Sequence, residues 1–207
     1  MLKVSLFVVL CSVLCAGVVL AKEEAASKSA TTLDNLMAAF NGESNANAKY
    51  LAFAKKADEE GYGAVASLFR AAAQAEEIHF KRHAKVIESL GGKAKAEIVQ
   101  ASVKTTAENL QNAIDGETYE SKVMYPGFLA KAKKDKIADA IDAFEDAMSA
   151  EKVHADLYKN ALKNLAKMKG AAKEYFLCPK CGNIEKAIPG PSCPICMFDT
   201  KKFISVK

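Results

Sequence analysis

Two copies of one pattern run through this chain, each a single glutamate followed 33 or 34 residues later by Glu-x-x-His. One glutamate from each of two helices, with Glu-x-x-His from each of two others, is a ligand set that binds two metal ions inside a helical bundle. The pattern therefore predicts four helices around a two-metal centre, and it favours iron redox chemistry over simple hydrolysis. The first copy comprises Glu43, Glu76 and His79, and the second comprises Glu117, Glu151 and His154.

The two copies lie inside a longer internal repeat. Residues 31–44 align with residues 105–118, and seven of the fourteen positions are identical. Self-similarity of this kind indicates a repeated structural unit rather than chance spacing. Each repeat opens with a capping-box pattern, in which a threonine is followed three residues later by an acidic residue. Each copy is therefore expected to form a helix hairpin whose first helix is capped.

Apolar spacing predicts where the helices lie. The spacing is helical over residues 33–60, 63–90, 106–133 and 136–168. At 1.5 Å per residue, the four pattern glutamates lie at a similar height, about 22–27 Å from the turn of their hairpin. Residues 91–105 join the two hairpins, and an extended segment of that length reaches about 50 Å, the length of a whole helix. The sequence therefore allows a bundle with one long crossover.

The first 21 residues have the pattern of a secretory signal peptide. Lys3 gives a positive start, residues 4–20 are apolar, and Val19-Leu20-Ala21 fits the small-residue rule for cleavage after Ala21. We therefore expect export, a periplasmic location after cleavage and a flexible lead over residues 22–30. The alternative is a membrane anchor, because the apolar run approaches the ~18 residues that suggest a membrane span.

Composition divides the rest of the chain. Alanine, lysine, glutamate and leucine dominate the predicted helices, whereas cysteine, proline, glycine and aromatic residues become frequent towards the C-terminus. We expect the bundle over residues 31–169 and a small separate domain over residues 170–207. The formal net charge of the whole chain is +4, which is too mild to indicate a nucleic-acid partner.

The small domain carries two Cys-x-x-Cys pairs. Cys178 and Cys181 are separated from Cys193 and Cys196 by eleven residues, a spacing typical of a tetrahedral site with four thiolate ligands. Disulfides are the alternative in an exported protein. Thiolates bind zinc and iron alike, and iron is favoured here only because a redox centre shares the chain.

The second copy of the pattern offers one carboxylate more than the first. Glu120 follows Glu117 by one helical turn, whereas the matching position in the first repeat is Ala46. An uneven ligand set could let one metal exchange a histidine for a glutamate with oxidation state. Unchanged spectra of Glu120→Ala in both oxidation states would contradict this hypothesis.

Three further side chains lie on or near the ligand-bearing helix faces. Tyr50 and Tyr125 follow Glu43 and Glu117 by seven and eight residues. They could hydrogen-bond an oxygen species at the metals, or pack in the core with a satisfied hydroxyl. His83 lies one turn after the first Glu-x-x-His and has no counterpart in the second repeat. We expect it to be a surface histidine rather than a group that supports the ligands.

Together these motifs resemble the rubrerythrins over essentially all of residues 31–203. The resemblance implies a mainly α fold, a ferritin-like four-helix bundle followed by a small rubredoxin-like domain with four cysteines. Glu120 in particular separates that family from plain ferritins. Besides the four-cysteine tail, the matching segments are Gly42-Glu43-Ser44, Ala75-Glu76-Glu77-Ile78-His79, Gly116-Glu117-Thr118-Tyr119-Glu120, Met124-Tyr125-Pro126 and Ala150-Glu151-Lys152-Val153-His154.

The resemblance also implies ligands and partners. Glu76 and Glu151 would bridge two non-haem irons, and a third iron, with zinc as the alternative, would occupy the four-cysteine site. Subunits would form a head-to-tail homodimer, which places the thiolate-bound iron of one subunit beside the two-metal site of its partner. The implied ligands of the two irons are Glu43, Glu76, His79, Glu117, Glu120, Glu151 and His154, and those of the relay iron are Cys178, Cys181, Cys193 and Cys196.

The implied activity is the reduction of hydrogen peroxide to water by a di-iron peroxidase. A redox donor protein or reductase would supply electrons through the four-cysteine iron. The chain differs from the family in its export signal and in Met197, which stands where a glycine usually follows the second cysteine pair. Two alternatives remain: a ferroxidase or iron-handling protein, in which peroxide or oxygen merely oxidises ferrous iron, and a structural protein with a zinc tail.

Overall fold

The computed structural model describes residues 30–207. The predicted signal peptide over residues 1–21, and its alternative as a membrane anchor, lie outside the described residues, as does nearly all of the flexible lead. Within residues 30–207, no helix combines the length and the apolar character needed to cross a bilayer.

Two helix hairpins pack into a four-helix bundle. The first hairpin consists of α1, Thr32–Glu59, and α2, Gly63–Ser89. The second hairpin pairs a long interrupted helix with α5, Ala138–Lys163. Contacts within each hairpin dominate the bundle, as expected from a duplicated unit. The interrupted helix comprises α3, Thr106–Tyr119, a π-helical turn over Glu120–Met124, and α4, Tyr125–Asp135.

Two helix predictions were wrong in detail. The third helix, predicted as one run over residues 106–133, is interrupted by the π-helical turn. The fourth, predicted to reach residue 168, ends at Lys163 and is followed by a short 3-10 helix over Leu165–Met168. Asn164 leaves the helical region there, with φ −111° and ψ 23°. Its side chain donates to the Asn160 carbonyl at 2.9 Å.

Both predicted capping boxes are confirmed. The Thr31 hydroxyl accepts from the Asp34 backbone N–H at 3.1 Å, and the Asp34 carboxylate accepts from the Thr31 backbone N–H at 2.8 Å. Thr105 and Glu108 make the same reciprocal pair at the start of α3. These bonds satisfy backbone donors that the helix itself leaves unpaired.

The crossover between the hairpins runs along α1. Residues 92–105 form no helix or strand. Asn41 and Asn45, one turn apart on α1, accept from the backbone N–H groups of Glu97 and Val99 at 2.9 and 2.8 Å. The predicted crossover is therefore confirmed. Side chains of α1 supply hydrogen-bond acceptors for backbone N–H groups of the crossover, which is not part of a sheet.

The core is divided into two apolar clusters along the bundle axis. Along α1, one cluster contains Leu36 and the other contains Tyr50, with Glu43 between them. Along α2, Glu76 lies between Phe69 and Ile87 in the same way. The pattern glutamates therefore occupy a middle layer that is closed by apolar side chains at both ends.

The C-terminal part of the chain is a small sheet that packs on the bundle. Its strands are β1, Tyr175–Leu177, β2, Ile184–Glu185, and β3, Ile204–Val206, in the antiparallel order β2-β1-β3. The sheet contacts α2. The mainly α fold with a bundle followed by a small cysteine module is therefore confirmed. The boundary between residues 169 and 170 stays a prediction.

Glycine allows the chain at Gly170 to approach the bundle closely. The Gly170 N–H donates to the Gly61 carbonyl at 2.9 Å, beside the turn that joins α1 to α2. A Cβ at Gly63 would lie 2.4 Å from the Gly170 carbonyl oxygen, which no side chain allows. The absence of a side chain at Gly63 thus allows the Gly170 backbone to lie against the start of α2.

Candidate metal centres

The middle layer of the bundle brings the six pattern residues together. Each of their side chains is at most 2% exposed. They form two groups whose potential ligand atoms lie within 4.8 Å of one another. Glu76 and Glu151 belong to both groups, so each can face two metal positions. The first group is Glu43, Glu76, His79 and Glu151, and the second is Glu76, Glu117, Glu151 and His154.

The donor atoms in this layer fit metal ions. Buried carboxylate oxygens of Glu43, Glu76 and Glu117 have no hydrogen-bond partner among the described residues. Such oxygens are costly to bury unless they are paired or bound to a cation. The Nδ1 atoms of His79 and His154 each lie 2.8 Å from a Glu151 oxygen, so they face the carboxylates. The layer therefore supplies oxygen and imidazole donors that point inward.

The four cysteines converge on one point. All four thiols are free. The Sγ atoms of Cys178 and Cys196 are 3.6 Å apart, and so are those of Cys181 and Cys193. A tetrahedral thiolate site with metal–sulfur bonds of about 2.3 Å places its sulfurs about 3.8 Å apart, whereas a disulfide needs about 2.05 Å. The geometry therefore fits a metal and not the disulfide alternative.

The cysteine module lies directly on the histidines of the bundle. His79 Nε2 is 2.9 Å from the Cys181 carbonyl oxygen, and His154 Nε2 is 2.9 Å from the Gly182 carbonyl oxygen. Carbonyl oxygens only accept hydrogen bonds, so both histidines carry a proton on Nε2. When the imidazoles are neutral, their Nδ1 lone pairs are free to bind metal. This contact lies within one chain, whereas the resemblance implied a contact between subunits.

Comparison with known proteins agrees with this pair of centres. The family model described as Rubrerythrin matches residues 34–162. The chain belongs to the rubrerythrin family. It is 41% identical to nigerythrin from Nitratidesulfovibrio vulgaris strain Hildenborough over 167 residues, which cover 80% of this chain and 82% of that protein. It is 35% identical to rubrerythrin-2 from Clostridium acetobutylicum, with 85% and 97% covered.

A solved relative shares the architecture. The structure of fully reduced, all-ferrous nigerythrin superposes with a TM-score of 0.79 at 34% identity, covering 89% of this chain and 91% of that one. Together with the ligand geometry, these likenesses support a di-iron centre of the nigerythrin type in the bundle and a rubredoxin-like iron in the four-cysteine site.

Burial and mutual repulsion shift the pKa values of the carboxyl groups. Burial, with the charges of Glu151 and Glu76, raises the pKa of Glu117 to about 8 and raises that of Glu43 as well. Burial alone would raise the pKa of Glu151, but the flanking histidines lower it. Conversely, burial would lower the pKa of His79, and Glu151 raises it well above its ordinary value. The metal-free layer is thus a network that retains protons.

Metal loading of the bundle is expected to strengthen as pH rises towards about 8. Because the pKa of Glu117 is raised to about 8, its carboxyl group holds a proton at lower pH, and an incoming metal must displace it. Each displaced proton weakens apparent affinity about tenfold per pH unit below that pKa. Cobalt(II) titration of the metal-free bundle, with zinc kept in the four-cysteine site, measures the effect. Affinity that does not change with pH would contradict it.

The two tyrosines bind the glutamates of the opposite hairpin. The Tyr50 hydroxyl donates to Glu117 Oε1 at 2.5 Å. The Tyr125 hydroxyl donates to Glu43 Oε1. Both hydroxyls are buried and have a hydrogen-bond partner, which agrees with the alternative of core packing with a satisfied hydroxyl. The sequence analysis did not predict that the partner of each hydroxyl is a candidate metal ligand.

The π-helical turn explains the unequal spacing of these tyrosines. Tyr50 follows Glu43 by seven residues, two turns of a regular α-helix, whereas Tyr125 follows Glu117 by eight. A π-turn accommodates one additional residue inside a helix. It therefore returns Tyr125 to the position that Tyr50 holds in the first hairpin. The eight-residue spacing was the sequence signal for this turn, and the uniform helix prediction missed it.

Glu120 stands apart from the other candidate ligands. It is half-buried and opens the π-helical turn. Its carboxylate belongs to neither ligand group. Burial and the charges of Glu43 and Glu117 raise the pKa of Glu120 well above its ordinary value. It borders an open cleft whose other lining residues include Gly42, Ala46, Lys49 and Val99.

The prediction of a surface position for His83 was wrong. Its side chain is 0% exposed, and its Nε2 lies 3.0 Å from the Tyr125 hydroxyl oxygen. The imidazole also packs on the Phe144 ring. Sequence reasoning compared it only with other histidines. The spacing could have indicated a buried position, because His83 follows Glu76 by seven residues, as Tyr158 follows Glu151.

Proposed function

We propose that this protein is a non-haem di-iron peroxidase that reduces hydrogen peroxide to water. Two electrons and two protons convert one peroxide into two waters. The observation that carries the proposal is the pair of hydrogen bonds that joins His79 to the Cys181 carbonyl and His154 to the Gly182 carbonyl. A zinc ion with only a structural role in the four-cysteine site would not require this contact. The proposed di-iron ligands are Glu43, Glu76, His79, Glu117, Glu120, Glu151 and His154, and the proposed relay-iron ligands are Cys178, Cys181, Cys193 and Cys196.

The chain's own residues limit access to the centre. Two ferrous ions bound here would supply both electrons for one peroxide, and the four-cysteine iron would return electrons one at a time. The six pattern residues are closed off from solvent. Glu120 is the candidate ligand that borders an open cleft. We therefore place peroxide entry on the Glu120 side, away from the histidines that the cysteine module covers.

The contact with the module gives electrons a short route. From the Cys181 carbonyl, one hydrogen bond reaches His79, and from the Gly182 carbonyl, one reaches His154. Cys196 lies in the other cysteine pair and is only half-buried. A redox donor protein or reductase would deliver electrons at that exposed side. The head-to-tail homodimer that the resemblance implies would place the four-cysteine iron of one subunit beside the di-iron site of its partner.

Steady-state turnover separates this activity from the ferroxidase alternative. A peroxidase consumes reductant and peroxide continuously, in equal molar amounts for a two-electron donor, without accumulating ferric mineral. A ferroxidase consumes added ferrous iron and deposits ferric product. Peroxide loss measured with a chemical reductant and no added iron tests the proposal. Loss of peroxide only while ferrous iron is supplied would overturn it.

Export is proposed on the sequence of residues 1–21 alone. We expect the mature protein to begin at Lys22 when the full chain is expressed with a secretion system. Mass spectrometry of the purified intact protein from periplasmic and membrane fractions measures this. Retention of Met1 in a membrane fraction would support the anchor instead.

A further inference from the structure

A chain of three buried side chains leads away from one half of the di-iron site. His83 Nε2 lies 3.0 Å from the Tyr125 hydroxyl oxygen, and that hydroxyl contacts Glu43 Oε1. All three side chains are 0% exposed. Water therefore does not compete for these two hydrogen bonds, both of which involve the Tyr125 hydroxyl.

The chemistry of the three groups fixes the direction of the chain. Glu43 as a metal-binding carboxylate only accepts, so the Tyr125 hydroxyl donates to it. The Tyr125 oxygen must then accept from His83, whose Nε2 carries the proton. Burial and the charge of His79 lower the pKa of His83 to about 3, so the imidazole stays neutral. His83 Nδ1 has no hydrogen-bond partner among the described residues, which suits an unprotonated nitrogen.

The half of the site that contains Glu117 lacks a third side chain equivalent to His83 in this hydrogen-bonded chain. Tyr158 occupies the position equivalent to His83, seven residues after Glu151. Its ring lies 5.6 Å from the Tyr50 ring. Its hydroxyl has no hydrogen-bond partner within residues 30–207. The Glu117–Tyr50 pair therefore stops at two members, and the two metal positions differ in what supports them.

We infer that His83 is a positioning residue that holds the Tyr125 hydroxyl on Glu43 and so stabilises the metal position that contains Glu43. The inference rests on the proposed assignment of Glu43 as a ligand. A hydroxyl that accepts a hydrogen bond becomes a better donor, so the His83 N–H strengthens the Tyr125 bond to Glu43. Groups that orient ligands in this way typically contribute about 10- to 100-fold to metal affinity.

Cobalt(II) titration of the metal-free bundle in the full chain, with zinc kept in the four-cysteine site, tests the inference. His83→Leu removes the N–H donor and is expected to weaken one of the two cobalt sites about tenfold, leaving the other unchanged. His83→Gln keeps an amide donor and is expected to recover most of that affinity. Tyr158→Phe is the matched control, because it removes a hydroxyl at the equivalent position that has no hydrogen-bond partner among the described residues. Both sites should keep their affinity.

A double-mutant cycle separates the hydrogen bond from packing. In a Tyr125→Phe background the recipient hydroxyl is absent, so His83→Leu should cause no further loss. If His83→Leu does not fold, His83→Asn provides the same comparison, since its shorter amide does not extend to the position of Nε2. Thermal unfolding of each metal-free variant establishes that it is folded before titration.

The outcomes distinguish this inference from the proposed function. Parent protein that binds two cobalt ions, with His83→Leu equal to the parent, would overturn the role of His83 alone. Equal weakening by His83→Leu and His83→Gln would also overturn it, because packing would then explain the loss. Parent protein that binds no cobalt in the bundle would overturn the di-iron assignment and this inference with it.

Discussion

Replacing Gly182 by alanine is expected to slow electron transfer from the four-cysteine iron to the bundle by about 10- to 100-fold. Gly182 has φ +75°, which disfavours any side chain. An added Cβ would lie 2.4 Å from His79 Nε2. The first cysteine pair must therefore move away from the bundle, which lengthens the hydrogen bonds that His79 and His154 make.

Iron content and the chemical step should survive this change. Gly182 is not a ligand of either centre. Iron content per chain, and the rate at which peroxide oxidises the reduced bundle iron, should therefore be the same as in the parent protein. Met197→Ala is the matched control. Met197 occupies the equivalent position after the second cysteine pair, with φ +60°, but its side chain is 72% exposed, whereas both histidines are buried. Slowing in both variants alike would show that module stability, not the contact, is responsible.

Glu76→Gln is expected to abolish peroxide reduction, with a loss on the order of 100-fold or more in affinity for iron in the bundle. Glu76 belongs to both ligand groups and is 0% exposed. The amide has nearly the same shape as the carboxylate but no negative charge. Both metal positions therefore lose a charged ligand at once, while the four-cysteine iron keeps all of its own.

The neighbouring residue supplies the control for this prediction. Glu77 is 43% exposed and pairs with Lys81 on the outside of α2. Glu77→Gln makes the same chemical change one residue away and should retain full iron content and activity. For both variants, iron content is measured relative to protein sulfur, and peroxide consumption is measured in the steady state. Normal bundle iron in Glu76→Gln would show that Glu76 is not a ligand.

Residue pattern alone predicted the parts of this site that repeat. The two copies of Glu and Glu-x-x-His predicted the two hairpins, the common height of the four pattern glutamates in the bundle, and six of the seven candidate ligands. Thr31 and Thr105 correctly marked where two helices begin. These features were accessible because each depends on local spacing along a helix, which a sequence displays directly.

The features that were missed depend on the second hairpin and the cysteine module. A uniform helix over residues 106–133 ignored the extra residue between Glu117 and Tyr125, which the structure places in a π-turn. His83 was judged without Tyr125, a partner 42 positions away in the sequence. The close approach of Gly182 to His79 joins the cysteine module to the bundle, and no local pattern encodes such a contact.

The decisive measurement follows the visible absorbance of the four-cysteine iron in the full, iron-loaded chain. The protein is reduced without oxygen, so that the iron–thiolate band bleaches, and is then mixed rapidly with a small excess of hydrogen peroxide. We expect the band to return with a first-order rate that does not depend on protein concentration, because the electron crosses a fixed contact. A band that stays bleached while peroxide is consumed, or a colourless protein with zinc in the four-cysteine site, would contradict the relay.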